Sequence, residues 1–201
     1  EEAVKIRMVA DVPFGAFLSG GIDSSAVVGL MAKHSPQPIK TFSIGFEEKQ
    51  HNELPHARTI AKLFKTDHTE FVVKPDAIDI LPYLAKQYEE PYADSSALPT
   101  YYLSKLTAEH VTVALNGDGG DENFGGYGRY SAFQISNYLD HADALNRIAG
   151  KPLTKFLANN IQNTFFDRLY RFSKSLSEDY RQRYLSYTAY FTNEQKADLY
   201  T

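Results

Sequence analysis

Two adjacent glycines flanked by hydroxyl side chains follow an apolar run near the start of the chain. This first loop runs from Ser19 to Ser25 with the sequence Ser-Gly-Gly-Ile-Asp-Ser-Ser. Glycines let a backbone pass close to a ligand and adopt dihedral angles that are closed to other residues. The helix predicted after them presents unpaired N–H groups and a partial positive charge. Together with the hydroxyls of Ser19, Ser24 and Ser25, these features predict a cradle for phosphate.

Two common phosphate-binding patterns are excluded at this loop. No Gly-Lys-Ser or Gly-Lys-Thr follows the glycines, which argues against the P-loop of kinases and GTPases. The third glycine of the dinucleotide fingerprint is also missing. The alternative without a ligand is a tight strand-to-helix turn capped by Asp23 or Ser24. The residues of this loop alone leave the cradle and the capped turn both open.

A second glycine-rich loop carries carboxylates. It runs from Asn116 to Glu122 with the sequence Asn-Gly-Asp-Gly-Gly-Asp-Glu. If Asp23 and Asp121 approach the same polyphosphate, a cation must lie between them, because carboxylates repel phosphate. Mg²⁺ fits, since it takes few protein carboxylates and shares its shell with phosphate and water. An EF-hand is excluded by spacing, and the competing interpretation is an acidic surface turn.

Both loops need a scaffold that brings them together, and the first 130 residues predict one. Short apolar runs predict strands over residues 12–18, 41–46, 68–73 and 111–115. Helical patterns lie between them, over residues 23–33, 53–64, 77–88 and 98–109. This alternation predicts an α/β fold with a doubly wound parallel sheet. Such sheets bind ligands beyond the carboxyl ends of strands where strand order reverses, so the loops face each other if strands one and four are neighbours.

Strand signals fade beyond residue 130, and we expect an all-helical C-terminal part. Apolar and aromatic residues recur there at mostly helical spacing. They are Leu153, Phe156, Leu157, Ile161, Phe165, Leu169, Phe172, Tyr180, Tyr184, Tyr187 and Phe191. We expect residues 1–130 to form the ligand-binding core, and residues 131–201 to form a helical part of the same domain that is truncated.

Composition narrows the classes of partner and compartment. The net charge of -4 makes nucleic acid a poor candidate. The chain has no cysteine, which excludes disulfides, cysteine nucleophiles and thiolate metal sites and fits a reducing, cytoplasmic setting. No apolar run approaches the ~20 residues of a membrane helix, and we expect no membrane contact. The chain lacks an initiator methionine, so we expect a piece of a longer protein.

The first loop resembles the pyrophosphate-binding motif of the PP-loop ATP pyrophosphatases, which cleave ATP between the α and β phosphates. The second loop, continued through Asn-Phe-Gly-Gly-Tyr to Tyr127, resembles the synthetase domain of glutamine-dependent asparagine synthetases. The resemblance covers residues 1–130 well and implies an adenine-nucleotide α-hydrolase fold. It implies ATP and Mg²⁺ as cofactors, with Asp23 and Asp121 as metal ligands.

The resemblance also implies roles for single residues. The positions that surround AMP are Leu18, Ile44, Asn116 and Gly117, of which Asn116 replaces the usual serine. The positions that bind pyrophosphate are Ser19, Gly20, Gly21, Asp23, Ser24 and, through the metal, Asp121. Asp118 matches an acidic residue linked to forming and using the acyl-adenylate.

The implied reaction activates a carboxylate, aspartate by default, as an acyl-adenylate and transfers ammonia to it. The products are asparagine, AMP and pyrophosphate. The resemblance implies a glutaminase domain in the full-length protein and allows a homodimer. That domain uses a cysteine nucleophile, and a later lysine steadies adenylation. Since neither is found in this chain, we expect it to bind ATP with little synthesis.

The acceptor stays open at this point. The segment 90–100 resembles the family's acceptor region but lacks an arginine that some asparagine-making relatives carry there. Its Ser95 or Ser96 fits a helix N-cap equally well. Related enzymes with different acceptors include β-lactam synthetases, lasso-peptide cyclases and sugar-pathway amidotransferases. A tRNA-modifying PP-loop enzyme and a non-catalytic ATP-binding relative also stay open as functions.

Overall fold

The computed structural model describes most of the chain. The described residues are 1–46, 53–74, 77–90, 92, 94–140, 169, 172–176, 178–189, 191 and 193–200. They belong to two compact units, Glu1–Gly120 and Asp121–Thr201. Each unit is described by itself below.

A four-stranded parallel sheet is the centre of the first unit. Its strands are β1 (Phe14–Phe17), β2 (Lys40–Phe46), β3 (Asp67–Val73) and β4 (Val113–Leu115). The strand order is β3-β2-β1-β4. Ala16 of β1 pairs with Thr41 of β2 on one side and with Leu115 of β4 on the other. Strand order therefore reverses at β1, and the predicted α/β fold is confirmed. Strands one and four are neighbours, which is the condition under which the two loops were expected to face each other.

The helices of this unit are α1 (Glu2–Arg7), α2 (Ile22–His34), α3 (Leu54–Phe64), α4 (Ala77–Tyr88) and α5 (Ala97–Thr107). All but α1 follow the helical patterns of the sequence to within two residues at each end. Pro55 lies in the first turn of α3, where a missing N–H costs nothing. Lys65 ends the same helix in the left-handed conformation (φ 53°). The sequence did not predict α1, a single short helix with no buried residue.

The two faces of the sheet have different surroundings. On one face, Ala16 and Leu18 pack with Val28 and Met31 of α2 and with Ala57 of α3 in a buried apolar core. Each side chain of valine or methionine size that is fully buried contributes about 1.5–3 kcal/mol. The opposite face carries a separate aromatic group, in which Phe42 stacks on Phe71 with ring centroids 6.2 Å apart. The sheet thus lies between helices, as a doubly wound arrangement requires.

The second unit is helical throughout its described part. Its helices are α6 (Gly120–Phe124), α7 (Gly128–Asp140), α8 (Tyr180–Thr188) and α9 (Asn193–Leu199). Helix α6 begins at the last residue of the first unit. Residues 172–175 are also helical. The helical prediction for Tyr180, Tyr184 and Tyr187 is confirmed. For Phe191 it is wrong, because Ala189 is extended (ψ 137°) and ends α8. The pattern from Leu153 to Phe165 lies outside the described residues.

In the described part of the chain, we find no helix with the length and apolar character needed to cross a membrane.

Candidate nucleotide site

The first loop is anchored to the sheet where it leaves β1. Leu18, only 1% exposed, donates its N–H to the carbonyl of Phe42 at 2.8 Å. Its own carbonyl accepts a hydrogen bond from the hydroxyl of Ser43 on β2. Ile44, one residue further along β2, is half-buried. The N–H and the carbonyl of Leu18, where the chain enters the loop, are therefore both hydrogen-bonded to β2.

Two serine hydroxyls connect the ends of the loop. Ser19 Oγ and Ser24 Oγ lie 2.9 Å apart, and the hydroxyl of Ser24 also donates to the carbonyl of Gly21 at 3.3 Å. The N–H of Gly21 donates to Ser19 Oγ at 3.2 Å. Ser24 is buried whereas Ser19 is exposed, so Ser24 shapes the loop and Ser19 presents its oxygen at the surface. Ser25 Oγ is buried, without a hydrogen-bond partner in the part of the chain that the structure describes.

The N-terminus of α2 opens directly onto this loop. Gly21 is its N-cap residue (φ -68°, ψ 165°), and among the described residues no side chain caps it. The alternative interpretation as a turn capped by Asp23 or Ser24 is wrong, because both residues lie inside the helix. The first N–H groups of α2 and its dipole therefore remain available to an anion.

Gly20 is the residue of this loop that only glycine fits. Its φ is +85°, and a Cβ there would lie 2.5 Å from the carbonyl carbon of His56 and 2.6 Å from the nitrogen of Ala57. Both atoms belong to the backbone of the first turns of α3. The loop thus packs on α3 without a side chain between them.

The second loop follows β4 and packs against the first. A Cβ on Gly117 would lie 2.7 Å from the backbone nitrogen of Ser24, and one on Gly120 would lie 2.7 Å from Cβ of Asp23 and closer still to its carboxylate. The side chain of Asp23 therefore extends toward the second loop. The pairing of β1 with β4 brings the two loops together at the carboxyl ends of their strands.

The polar residues of the second loop are oriented by one another. The amide of Asn116 donates to Asp118 Oδ2 at 2.7 Å, and the N–H of Asp118 donates back to Asn116 Oδ1 at 3.3 Å. Both residues are exposed, and Gly117 between them is half-buried. The carboxylate of Asp118 is thus held at the surface beside the N-terminus of α2, with one oxygen bonded to Asn116.

Asp121 is the first residue of the second unit. Its carboxylate lies against Gly126, where a Cβ would collide with Oδ1. The next residue, Glu122, accepts a hydrogen bond from the hydroxyl of Tyr127 at 2.6 Å. This bond raises the pKa of Tyr127 to about 12. Arg129 lies over the ring of Tyr127, 4.0 Å from its centroid.

Sequence reasoning missed the residues that support the first loop from behind. Ser43 holds Leu18, and the backbone of His56 and Ala57 packs on Gly20. One signal was present in β2, where Thr41 and Ser43 place hydroxyls at alternate positions of an otherwise apolar strand. Alternate residues of a strand share one face, so this spacing indicates two polar groups directed toward α2 and α3.

The cap predicted at the start of α5 is also different in the structure. Ser96 occupies the N-cap position without a side-chain bond to the helix among the described residues. Its own N–H donates to Asp94 Oδ1 at 2.8 Å, and this bond lowers the pKa of the Asp94 carboxyl. The carboxylate of Asp94 thus orders the turn that leads into α5, and the predicted serine cap of the helix is wrong.

Known proteins resemble this chain over most of its length. A sequence profile of the asparagine synthase family matches residues 1–199. The chain is 42% identical over 168 residues to a provisionally named glutamine-hydrolyzing asparagine synthetase 2 of Methanocaldococcus jannaschii, an alignment covering 82% of this chain and 32% of that protein. It is 41% identical over 130 residues to glutamine-hydrolyzing asparagine synthetase 1 of Bacillus subtilis, covering 64% of this chain and 20% of that protein.

The chain thus spans 20% to 32% of the length of these relatives. On the strength of the profile match and the identity to both synthetases, this chain belongs to the asparagine synthase family.

Proposed function

We propose that this chain is the ATP-using part of a synthetase that activates a carboxylate as an acyl-adenylate and converts it to an amide with ammonia. The acceptor that we propose is aspartate, which gives asparagine, AMP and pyrophosphate. The names of the relatives support the product, and "glutamine-hydrolyzing" in those names supports glutamine as the source of ammonia. We also propose a glutaminase domain and, as a further partner, a second copy of the chain.

The observation that carries this proposal is the packing of the second loop onto the N-terminus of α2. Gly117 and Gly120 lie against Ser24 and Asp23 with no room for side chains. A helix N-terminus without a side-chain cap, an exposed hydroxyl at Ser19 and two close glycines bring several hydrogen-bond donors together. Such arrangements bind phosphate through backbone N–H groups.

The residues fit Mg²⁺ as the cation of this site. The carboxylate of Asp23 extends to the second loop, and Asp121 follows Gly120 directly in the chain. Within the described ranges, no three His, Cys, Asp or Glu side chains group closely enough to hold a metal ion. Mg²⁺ typically takes one or two carboxylates together with phosphate oxygens. When bound, it supplies positive charge to the pyrophosphate that leaves.

The proposed first step takes place at the α-phosphorus. A carboxylate oxygen of aspartate forms a bond to this phosphorus while the bond to the oxygen bridging to the β phosphate breaks. The oxygen that departs with pyrophosphate gains negative charge. Ser19, Ser24 and the N–H groups at the start of α2 stabilise that charge, which is the chief electrostatic contribution of this chain. Leu18, Ile44 and the backbone of Asn116 and Gly117 border the AMP portion.

In the second step the nitrogen of ammonia attacks the acyl carbon and AMP leaves. The nitrogen must lose a proton as it becomes an amide. Asp118 is the acceptor that we propose for this proton, because its carboxylate is exposed and held in place by Asn116. A positioned carboxylate is a suitable general base when it lies within hydrogen-bond reach of the proton.

Product analysis tests the proposed reaction. The protein that carries this chain together with the proposed glutaminase domain is incubated with Mg·ATP, ammonium and each of several carboxylates, and adenine nucleotides and phosphates are separated. We expect AMP and pyrophosphate in equal amounts, dependent on aspartate, together with asparagine. Formation of ADP and orthophosphate would contradict cleavage between the α and β phosphates. AMP release that depends on another carboxylate would keep the reaction type and replace aspartate as acceptor.

A further inference from the structure

An ion pair on the first unit connects α3 to β3. Arg58 donates from Nε to Glu70 Oε1 and from Nη2 to Glu70 Oε2, each at 2.7 Å. Such a two-point arrangement fixes orientation as well as distance. The hydrogen bonds to Arg58 hold the pKa of the Glu70 carboxyl below its usual range, and Glu70 raises the pKa of Arg58. Both groups are therefore charged over the neutral pH range.

Arg58 lies next to the part of α3 that supports the first loop. The backbone of His56 and Ala57, directly before it, packs on Gly20 without room for a Cβ. Ala57 is fully buried in the core between α3 and the sheet. A rotation or shift of the first turns of α3 would therefore move the atoms on which Gly20 rests.

Glu70 is linked to the first loop by a second route, which runs through β2. It lies opposite Ser43 in the register of β2 and β3, so both side chains share one face of the sheet. Ser43 donates its hydroxyl to the carbonyl of Leu18, the residue that precedes the loop. These contacts, together with the pairing of β2 with β3, form a ring from Leu18 through Ser43, Glu70, Arg58 and the first turns of α3 to Gly20.

The other titratable group that faces Glu70 is His68. Its Nε2 lies 3.6 Å from Glu70 Oε1, and its Nδ1 lies 2.9 Å from the hydroxyl of Thr41. Burial lowers the pKa of His68, which keeps the ring neutral at neutral pH. Arg58 is therefore the cation that neutralises Glu70 at neutral pH within the described part of this ring.

We propose that the Arg58–Glu70 pair positions the phosphate loop by holding the first turns of α3 in place behind Gly20. Neither residue contacts the ligand, and both act through the backbone of α3 and through β2. The side chain of Arg58 is 54% exposed, so its contribution to global stability is small. The ion pair instead determines the geometry of the first loop. The part of this proposal that concerns ATP rests on the proposed function.

Hydrogen exchange and nucleotide affinity test the proposal together. The variants are Arg58→Met, which keeps the aliphatic stem, Glu70→Gln, and the exchanged pair Arg58→Glu with Glu70→Arg. The matched control is Lys33→Met, which removes another exposed ion pair, Lys33–Glu1 at 2.9 Å, near the opposite end of α2. Amide exchange is followed by mass spectrometry over residues 19–24 and over β1, and Mg·ATP affinity by calorimetry.

We expect the two single variants to speed exchange at residues 19–24 and to weaken Mg·ATP binding roughly fivefold. The exchanged pair should restore both quantities, and Lys33→Met should change neither. Unchanged exchange at the loop, faster exchange throughout β1 as well, or no restoration in the exchanged pair would each overturn the proposal. If the parent chain binds no Mg·ATP, the proposed function fails, whereas exchange at the loop still decides whether the ion pair positions it.

Discussion

Gly20→Ala is expected to lower the free energy of unfolding of the first unit by about 2–4 kcal/mol and to abolish nucleotide binding. Two costs add at this position. The φ of +85° is strained for alanine, and the new methyl carbon would lie 2.5 Å from the carbonyl carbon of His56. Because that obstacle is helix backbone, relief requires a movement of α3 or of the loop. Either movement shifts the first loop from its position on α3, and with it the N–H groups that we propose bind phosphate.

Gly21→Ala is the control for this stability effect. Gly21 has an ordinary φ of -68°, and a Cβ there would meet only Ser19 Oγ at 3.3 Å. Urea denaturation followed by circular dichroism measures both variants against the parent. We expect a loss within about 0.5 kcal/mol for Gly21→Ala. Equal stability of Gly20→Ala and the parent would mean that the loop does not rest on α3 as the structure has it.

Arg183→Met is expected to destabilise the helical second unit by about 3 kcal/mol or more, because buried carbonyl oxygens lose their donors. Arg183 is only 1% exposed. Its guanidinium donates to the carbonyls of Ser175 at 3.0 Å, Glu178 at 2.8 Å and Ser136 at 3.3 Å. It also donates to Asn137 Oδ1 at 3.2 Å. One side chain of α8 thus holds α7 and the segment before α8 together.

Arg181→Met provides the matched control, since Arg181 lies on the same helix and is exposed. Hydrogen exchange of α7 and α8, measured beside thermal unfolding, separates this unit from the sheet. We expect faster exchange in both helices for Arg183→Met and parent-like exchange for Arg181→Met. Similar behaviour of the two variants would show that the buried guanidinium contributes no more than a surface charge.

The positions of the strands and helices could be predicted from the sequence because the two kinds of element carry different patterns of apolar residues. β2 is rich in apolar and β-branched residues, β3 ends in Phe-Val-Val, and α3 combines a helical pattern with a proline in its first turn. The short helix α1 was missed because it has only six residues, buries none of them completely and places only Val4 partly against the core. Helix ends such as that of α8 depend on single residues, here the extended Ala189, and periodicity does not mark them.

For the candidate site, the residue types of the two loops predicted their role, but the strand order that brings the loops together could be learned only from the structure. Nothing in the local sequence shows that β4 pairs with β1, and that pairing sets Gly117 against Ser24. The contacts behind the loop depend even more on tertiary structure. Gly20 and His56 are distant in sequence, as are Arg58 and Glu70, and each pair meets only after α3 has packed on the sheet.

We propose that the two loops together bind one Mg·ATP. Titration calorimetry with ATP, with and without Mg²⁺, on the parent chain, Asp23→Asn and Asp121→Asn tests it most directly. We expect magnesium-dependent binding by the parent and a loss of at least roughly tenfold in affinity in each variant, about 1.4 kcal/mol per site. Binding by the parent that is independent of Mg²⁺ and equal in both variants would contradict the claim.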